Sequence, residues 1–176
     1  MDKRIGKIIV GSAGGNAGKG SKNYKVSIPS KWINAMNILE QKIDLCFDGE
    51  KIIISTHLPF EDFLKNKKAK GHKLLLLEFY NGNALCTKIC ADFTDKDISV
   101  ENYTDNLVKT AFGKNEVPLW QNFENFLEER CIPRSRSGLR EYLETIGVEE
   151  YNPLEIIKKT QGRMAEDDQW IRLEEI

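Results

Sequence analysis

A single proline does most to restrict how this chain can fold. Residues 24–28 (YKVSI) alternate, with Val26 and Ile28 on one side, which is the period of a half-buried strand. Pro29 stops that strand, because proline has no N–H to give to a ladder and constrains the residue before it. Ser30 then caps a short helix over about residues 31–37, with Trp32, Ala35 and Met36 at helical spacing and facing inward. A second alternation, Ile43, Leu45 and Phe47, leads into Asp48-Gly49, a hairpin turn signal, and an apolar return over residues 52–55. Upstream, residues 5–10 read as a strand. Whatever lies between residues 10 and 24 therefore connects the two strands of a hairpin.

That connection carries five glycines and a Gly-Lys pair (GSAGGNAGKGSK), which invites comparison with a nucleotide-binding P-loop. Three requirements fail. The glycine needed five residues before Gly18-Lys19 is Ala13, and the residue that should hold magnesium after Lys19 is Gly20. Next in the chain comes a strand ended by proline, where a helix N-terminus should face the phosphates. Two readings remain. Glycines let a backbone approach a phosphate closely, Lys19, Lys22 and Lys25 supply neutralising charge, and Asn16, Ser21 and Asn23 supply hydrogen bonds, so the loop can grip DNA. The other reading is a solvated turn.

Charge separates the chain into two parts. Residues 1–57 hold nine Lys/Arg against five Asp/Glu, and residues 58–176 hold 17 against 22. A basic front and an acidic rear point to two units with different partners, the front being the one suited to phosphate. No apolar run approaches the ~18–20 residues of a transmembrane helix, and the leading residues lack the core of a secretory signal, so the expected location is the cytoplasm. There, Cys46, Cys86, Cys90 and Cys131 need no disulfides. Cys86 and Cys90 fall on a strand-like run, where they would share a face ~13 Å apart, too far for one zinc. No metal or cofactor is expected.

Residues 57–71, with Pro59 near the start and a lysine-rich end, read as a linker. Beyond them, residues 73–80, the Asn81-Gly82 turn and residues 84–93 form a hairpin, and residues 97–103 a third strand. The rest of the chain is mostly helical stripes. Thr104 caps one with Leu107, Val108, Ala111 and Phe112. Pro118 opens one with Trp120, Phe123, Phe126 and Leu127. Ser135 or Ser137 starts one through Leu139, Tyr142, Leu143 and Ile146, and Asn152-Pro153 starts the last. QWIRLEEI reads as a closing strand. Arg134, Arg136 and Arg140 at one helix start, with Trp170 as an aromatic anchor, are the candidate grip for a protein partner, although solvated arginines paired to nearby glutamates are the commoner outcome. Glu166, Asp167 and Asp168 could hold a divalent ion, although an acidic loop before a strand is commoner. No nucleophile–base constellation is present, so the chain is not expected to be an enzyme.

Taken together, KVSIPSKWINAMNI and KIDLCFDGEKIIIS resemble the AbrB/MazE/SpoVT family of swapped-hairpin DNA-binding domains. Val26, Ile28, Pro29, Trp32, Met36 and Ile38 stand at the positions of that family's core motif, and the likeness spans roughly residues 4–56. The chain departs from the family at Gln41-Lys42-Ile43-Asp44, where Gly-Asp is frequent, and in a longer, more glycine-rich first loop. The resemblance implies that two chains interleave into one small β-barrel, that dimerisation is part of folding, and that DNA is met near the first loop. The physics agrees: ~50 residues with four short strands bury too little apolar surface alone. Residues 132–172 resemble a C-terminal segment of uncharacterised bacterial proteins, some encoded beside HipA-type toxin kinases or on mobile elements.

The expectation is thus an α+β chain. Residues 1–57 form a dimeric swapped-hairpin barrel, residues 58–71 a linker, and residues 72–176 a β-hairpin or meander with a helical module that binds a partner or sets the assembly. The function implied is a sequence-specific, double-stranded-DNA-binding regulator acting as a homodimer, as an autoregulator or antitoxin. The alternative is a mobile-element inhibitor, anti-CRISPR-like or toxin-neutralising, whose rear module blocks an enzyme.

Overall fold

The computed structural model of the chain describes residues 2–12, 20–47 and 49–176. It is a mixed α+β structure that divides into two compact units, residues 1–57 and 58–176.

The first unit contains two separate antiparallel hairpins and one helix. β1 (Ile8–Ser12) pairs with β2 (Lys22–Val26), and β3 (Ile43–Phe47) pairs with β4 (Ile52–Thr56). Among the described residues the hairpins form two two-stranded sheets, and one chain closes no barrel. Between them, α1 (Ser30–Met36) starts directly at Pro29 and ends at Asn37, whose left-handed conformation (φ 52°) turns its N–H back onto the carbonyls of Ile33 and Asn34. Ser30 is thus the first helical residue, not the cap. Trp32 is half-buried, whereas Ala35 and Met36, expected inward, are exposed.

The pairing sorts each hairpin into two faces. Ile8, Val10, Tyr24 and Val26 share one face of the first hairpin; Ile9, Gly11, Asn23 and Lys25 share the other. In the second, Ile43, Leu45, Phe47, Ile52 and Ile54 share a face without one polar residue until Thr56. These apolar faces are bare: Leu45 is 63%, Phe47 65% and Ile52 73% exposed. Among the described residues of this unit only Ile38 is buried.

The second unit has a core on both sides of a sheet. α2 (Phe60–Ala69) comes first, followed by β5 (Leu74–Asn81), β6 (Ala84–Asp92) and β7 (Asp97–Asn102) as an antiparallel meander. After α3 (Trp120–Glu129), α4 (Leu139–Ile146) and α5 (Pro153–Thr160), β8 (Gln169–Glu175) returns to the free edge of β5, giving the order β7-β6-β5-β8. On one face Leu75, Leu77, Phe79, Ile89 and Ile171 pack with Phe123, Phe126, Leu127, Leu143, Ile156 and Ile157 of the three later helices. On the other, Leu74 and Cys90 pack under Phe60 and Phe63 of α2.

Several expectations are corrected here. Residues 58–71 are not a linker: α2 occupies most of them and buries Phe60, Phe63 and Lys67. Cys86 and Cys90 do not share a face. A bulge at Phe79/Tyr80, where the partner steps from Thr87 to Leu85, leaves Cys86 as the extra residue, so Cys86 joins the larger core and Cys90 the smaller. The helix expected after Thr104 is only a 3-10 turn, Leu107–Lys109, because Ala111 gives its N–H to Thr87 Oγ1 on β6 (3.1 Å) instead of to its own helix. α4 is capped by Gly138 in a left-handed conformation (φ 78°) and not by a serine. Asn152 does cap α5, accepting from Leu154 N (3.0 Å).

Candidate nucleic-acid interface

The residues singled out for DNA split three ways. Asn16 and Lys19 lie outside the described residues. Ser21 and Lys22 sit at the loop end of the hairpin, Lys22 opposite Ser12 and on the same side of the ribbon as the bare apolar face. Asn23 and Lys25 stand on the opposite side, across from Gly11 and Ile9. That opposite side carries Asn23 and Lys25 beside an exposed Ile9, and all of these described residues are exposed. Lys25 and Lys22 therefore do not form one cluster. The alternation of a two-stranded ribbon places them on different faces, a consequence readable from the sequence once the register is known.

Cations are more extensive around this hairpin than those residues suggest. Lys3, Arg4 and Lys7 are exposed in residues 2–7, which lead into β1. Asp2 Oδ2 lies 3.4 Å from both Lys31 Nζ and Trp32 Nε1 at the start of α1. On the second hairpin His57 Nδ1 meets Asp44 Oδ1 at 2.8 Å.

In the second unit the four candidate partner-binding residues are not brought to one place. Arg134 binds Glu128 Oε1 (3.0 Å) and lies over the Tyr151 ring (4.2 Å); Arg140 binds Glu144 Oε1 (3.0 Å); Arg136 is exposed in the turn before α4. Trp170 makes other contacts. It stacks on Tyr80 (4.4 Å between centroids, 9° between planes), gives its Nε1–H to Gly82 O (2.7 Å) and is faced by Arg163 (5.0 Å). Arginines paired to local glutamates are surface pairs of small energetic weight.

The acidic trio forms no metal-ligand group among the described residues. Asp167 belongs to Arg130, a buried guanidinium that no sequence motif marks. Arg130 Nη1 and Nη2 reach the two Asp167 oxygens at 2.7 and 3.1 Å, and its remaining donors go to Gly162 O, Gln169 O and Gln169 Oε1. This pairing holds the Asp167 carboxyl below its ordinary pKa. All the partners lie more than thirty positions away in sequence, so no local pattern could have shown them.

A second ionic cluster ties α2 to the sheet. Lys67 Nζ is 2.8 Å from both Asp92 Oδ2 and Asp95 Oδ2 and 3.4 Å from Asp97, while His72 Nδ1 is 2.8 Å from Asp92. Burial alone would raise the Asp92 pKa, but bonds from Lys67, His72 and the N–H groups of Thr94 and Asp95 outweigh it and bring it to about 2. For Lys67, burial works downward and the carboxylates upward, and the carboxylates win. His72, Asp92 and Asp95 are, among the described residues, the one group with metal-ligand spacing, and the Lys67 ammonium stands among them as their cation.

No protein-family model, curated protein or solved structure matches the chain. Among the described residues no helix is long and apolar enough to cross a membrane.

Proposed function

We propose that the chain is a dimeric, sequence-specific DNA-binding regulator, built on a swapped-hairpin domain of the AbrB/MazE/SpoVT type in residues 1–57 and acting on its own promoter as an autoregulator or antitoxin. The observation that carries this reading is the bareness of the two hairpins. Ile8, Val10, Tyr24, Val26, Leu45, Phe47 and Ile52 are all more than half exposed in one chain. An isolated hairpin is marginal in water, and contiguous apolar faces of this kind mark an interface. A second copy interleaving its hairpins would cover them and leave the opposite ribbon face, with Asn23 and Lys25, turned outward. A two-fold pair of basic ribbons suits a two-fold operator.

The test is anisotropy of a labelled duplex taken from upstream of the chain's own gene, against a scrambled duplex of equal length. Tighter binding to the first, falling steeply with salt, is expected. Equal affinity for both, or no binding at low salt by folded protein, contradicts the reading.

The second unit serves as the partner-binding or assembly module. A core built wholly from its own residues supports this. The Tyr80–Trp170–Arg163 stack favours the second reading, a module that binds and blocks an enzyme, because Trp, Tyr and Arg dominate binding hot spots. Trp170→Ala would then release any protein partner while leaving DNA binding unchanged.

A further inference from the structure

We infer that residues 2–7 are a second phosphate grip, anchored to α1 through Asp2, and that the DNA-facing surface runs from this segment along the side of the first hairpin that carries Lys25 and Asn23. The inference rests on the DNA-binding reading above and adds Lys3, Arg4 and Lys7 to it.

Strand register sets the layout. Ile8 pairs with Val26 and Ser12 with Lys22, so the Ser12–Lys22 pair stands at one end of the described ribbon and residues 2–7 lead into the other. Strand alternation puts Lys7 on the same side as Ile9, and Ile9 is opposite Lys25. Lys7, Asn23 and Lys25 thus share the face turned away from Ile8, Val10, Tyr24 and Val26. From Lys7 to the level of Asn23, opposite Gly11, is about 13 Å at ~3.3 Å per residue. Duplex DNA carries a charge about every 1.7 Å of its axis, so Lys7, Lys25 and Asn23 along that length meet several phosphates.

The segment also makes contacts near both ends. Six unpaired residues would lose much conformational entropy on docking, and these contacts reduce that loss. Asp2 reaches Lys31 Nζ and Trp32 Nε1 at one end, β1 begins at the other, and Gly6 passes beside Val26. None of Lys3, Arg4 and Lys7 is taken up by an ion pair among the described residues, and Asp2, the one acid near them in sequence, is spent on the anchor. The charge density is therefore offered to solvent.

Contacts of this kind give affinity and register without reading bases. The experiment measures salt-dependent binding of full-length protein to the promoter duplex and to the scrambled duplex. Lys3→Ala/Arg4→Ala removes two cations from each protomer of the dimer, so it should lower the log–log salt slope by about four and weaken both duplexes by the same factor. Lys3→Arg/Arg4→Lys should keep the wild-type slope. Asp2→Asn should weaken binding although it removes a negative charge near DNA, which a purely coulombic role would turn into tighter binding. A wild-type slope for the double alanine variant, with wild-type protein binding normally, overturns the second grip alone. Tighter binding by Asp2→Asn overturns the anchor. Failure of wild-type protein to bind either duplex at low salt removes the DNA reading and this inference with it.

Discussion

The two units treat the same kind of residue in opposite ways. In residues 58–176 the aromatic and branched side chains of the sheet are covered on both faces, down to Leu77 and Ile89 at 0% exposure. In residues 1–57 the equally apolar Leu45, Phe47 and Ile52 stand in solvent and Ile38 alone among the described residues is buried. Both units have strands with a clear apolar period. The difference is what lies opposite. The second unit brings its own helices to its sheet, whereas the first has one seven-residue helix for two hairpins. Apolar faces left this exposed suit an interface, and the proposed second copy would cover them with matching faces.

The largest expected effect lies in the second unit. Phe123→Ala should cost about 3–5 kcal/mol in urea unfolding, with a midpoint independent of protein concentration, because the cavity is internal to one chain. A concentration-dependent midpoint there would erase the contrast between the units. Next is Arg130→Met, expected to lose about 3 kcal/mol by leaving the buried Gly162 carbonyl without its donors and Asp167 with only the Gln169 N–H. Trp170 fluorescence should report the loosening, since the clamp also holds Gln169 beside it.

Acid sharpens the contrast further. Asp92 has a folded pKa of about 2 against ~4 when unfolded. Its contribution, on the order of 2 kcal/mol, is whole above pH ~4 and is lost as the pH falls towards 2. Asp92→Asn should remove that limb of the stability profile and detach α2, followed as faster amide exchange in residues 60–69. A profile in that window identical to wild type would show that the cluster adds nothing. At the small end, Arg140→Ala breaks an exposed pair with Glu144 and should change stability by less than about 0.5 kcal/mol.

What the sequence made legible was local. Asn81-Gly82 marked its hairpin, Asn152-Pro153 its helix, and QWIRLEEI its strand, because each signal acts within a few residues. α2 was hidden because the residue completing its stripe after Phe60, Phe63 and Leu64 is Lys67, buried only because Asp92 and Asp95 wait on another element. The bulge at Cys86 was hidden because periodicity alone cannot show an extra residue. For the candidate interface, lysine and asparagine content pointed to the first hairpin, but the division of Lys22 from Lys25 needed the strand register. Arg130 and the anchor at Asp2 depend on partners about thirty or more positions away, beyond any local pattern.

The central claim is that a second copy completes the first unit. Sedimentation equilibrium of the full chain beside Leu45→Arg tests it most directly. The account predicts a wild-type mass of twice 20.2 kDa and a monomeric variant that keeps the urea transition of the second unit. A wild-type monomer whose amides in β1–β4 are nevertheless protected from exchange would contradict it.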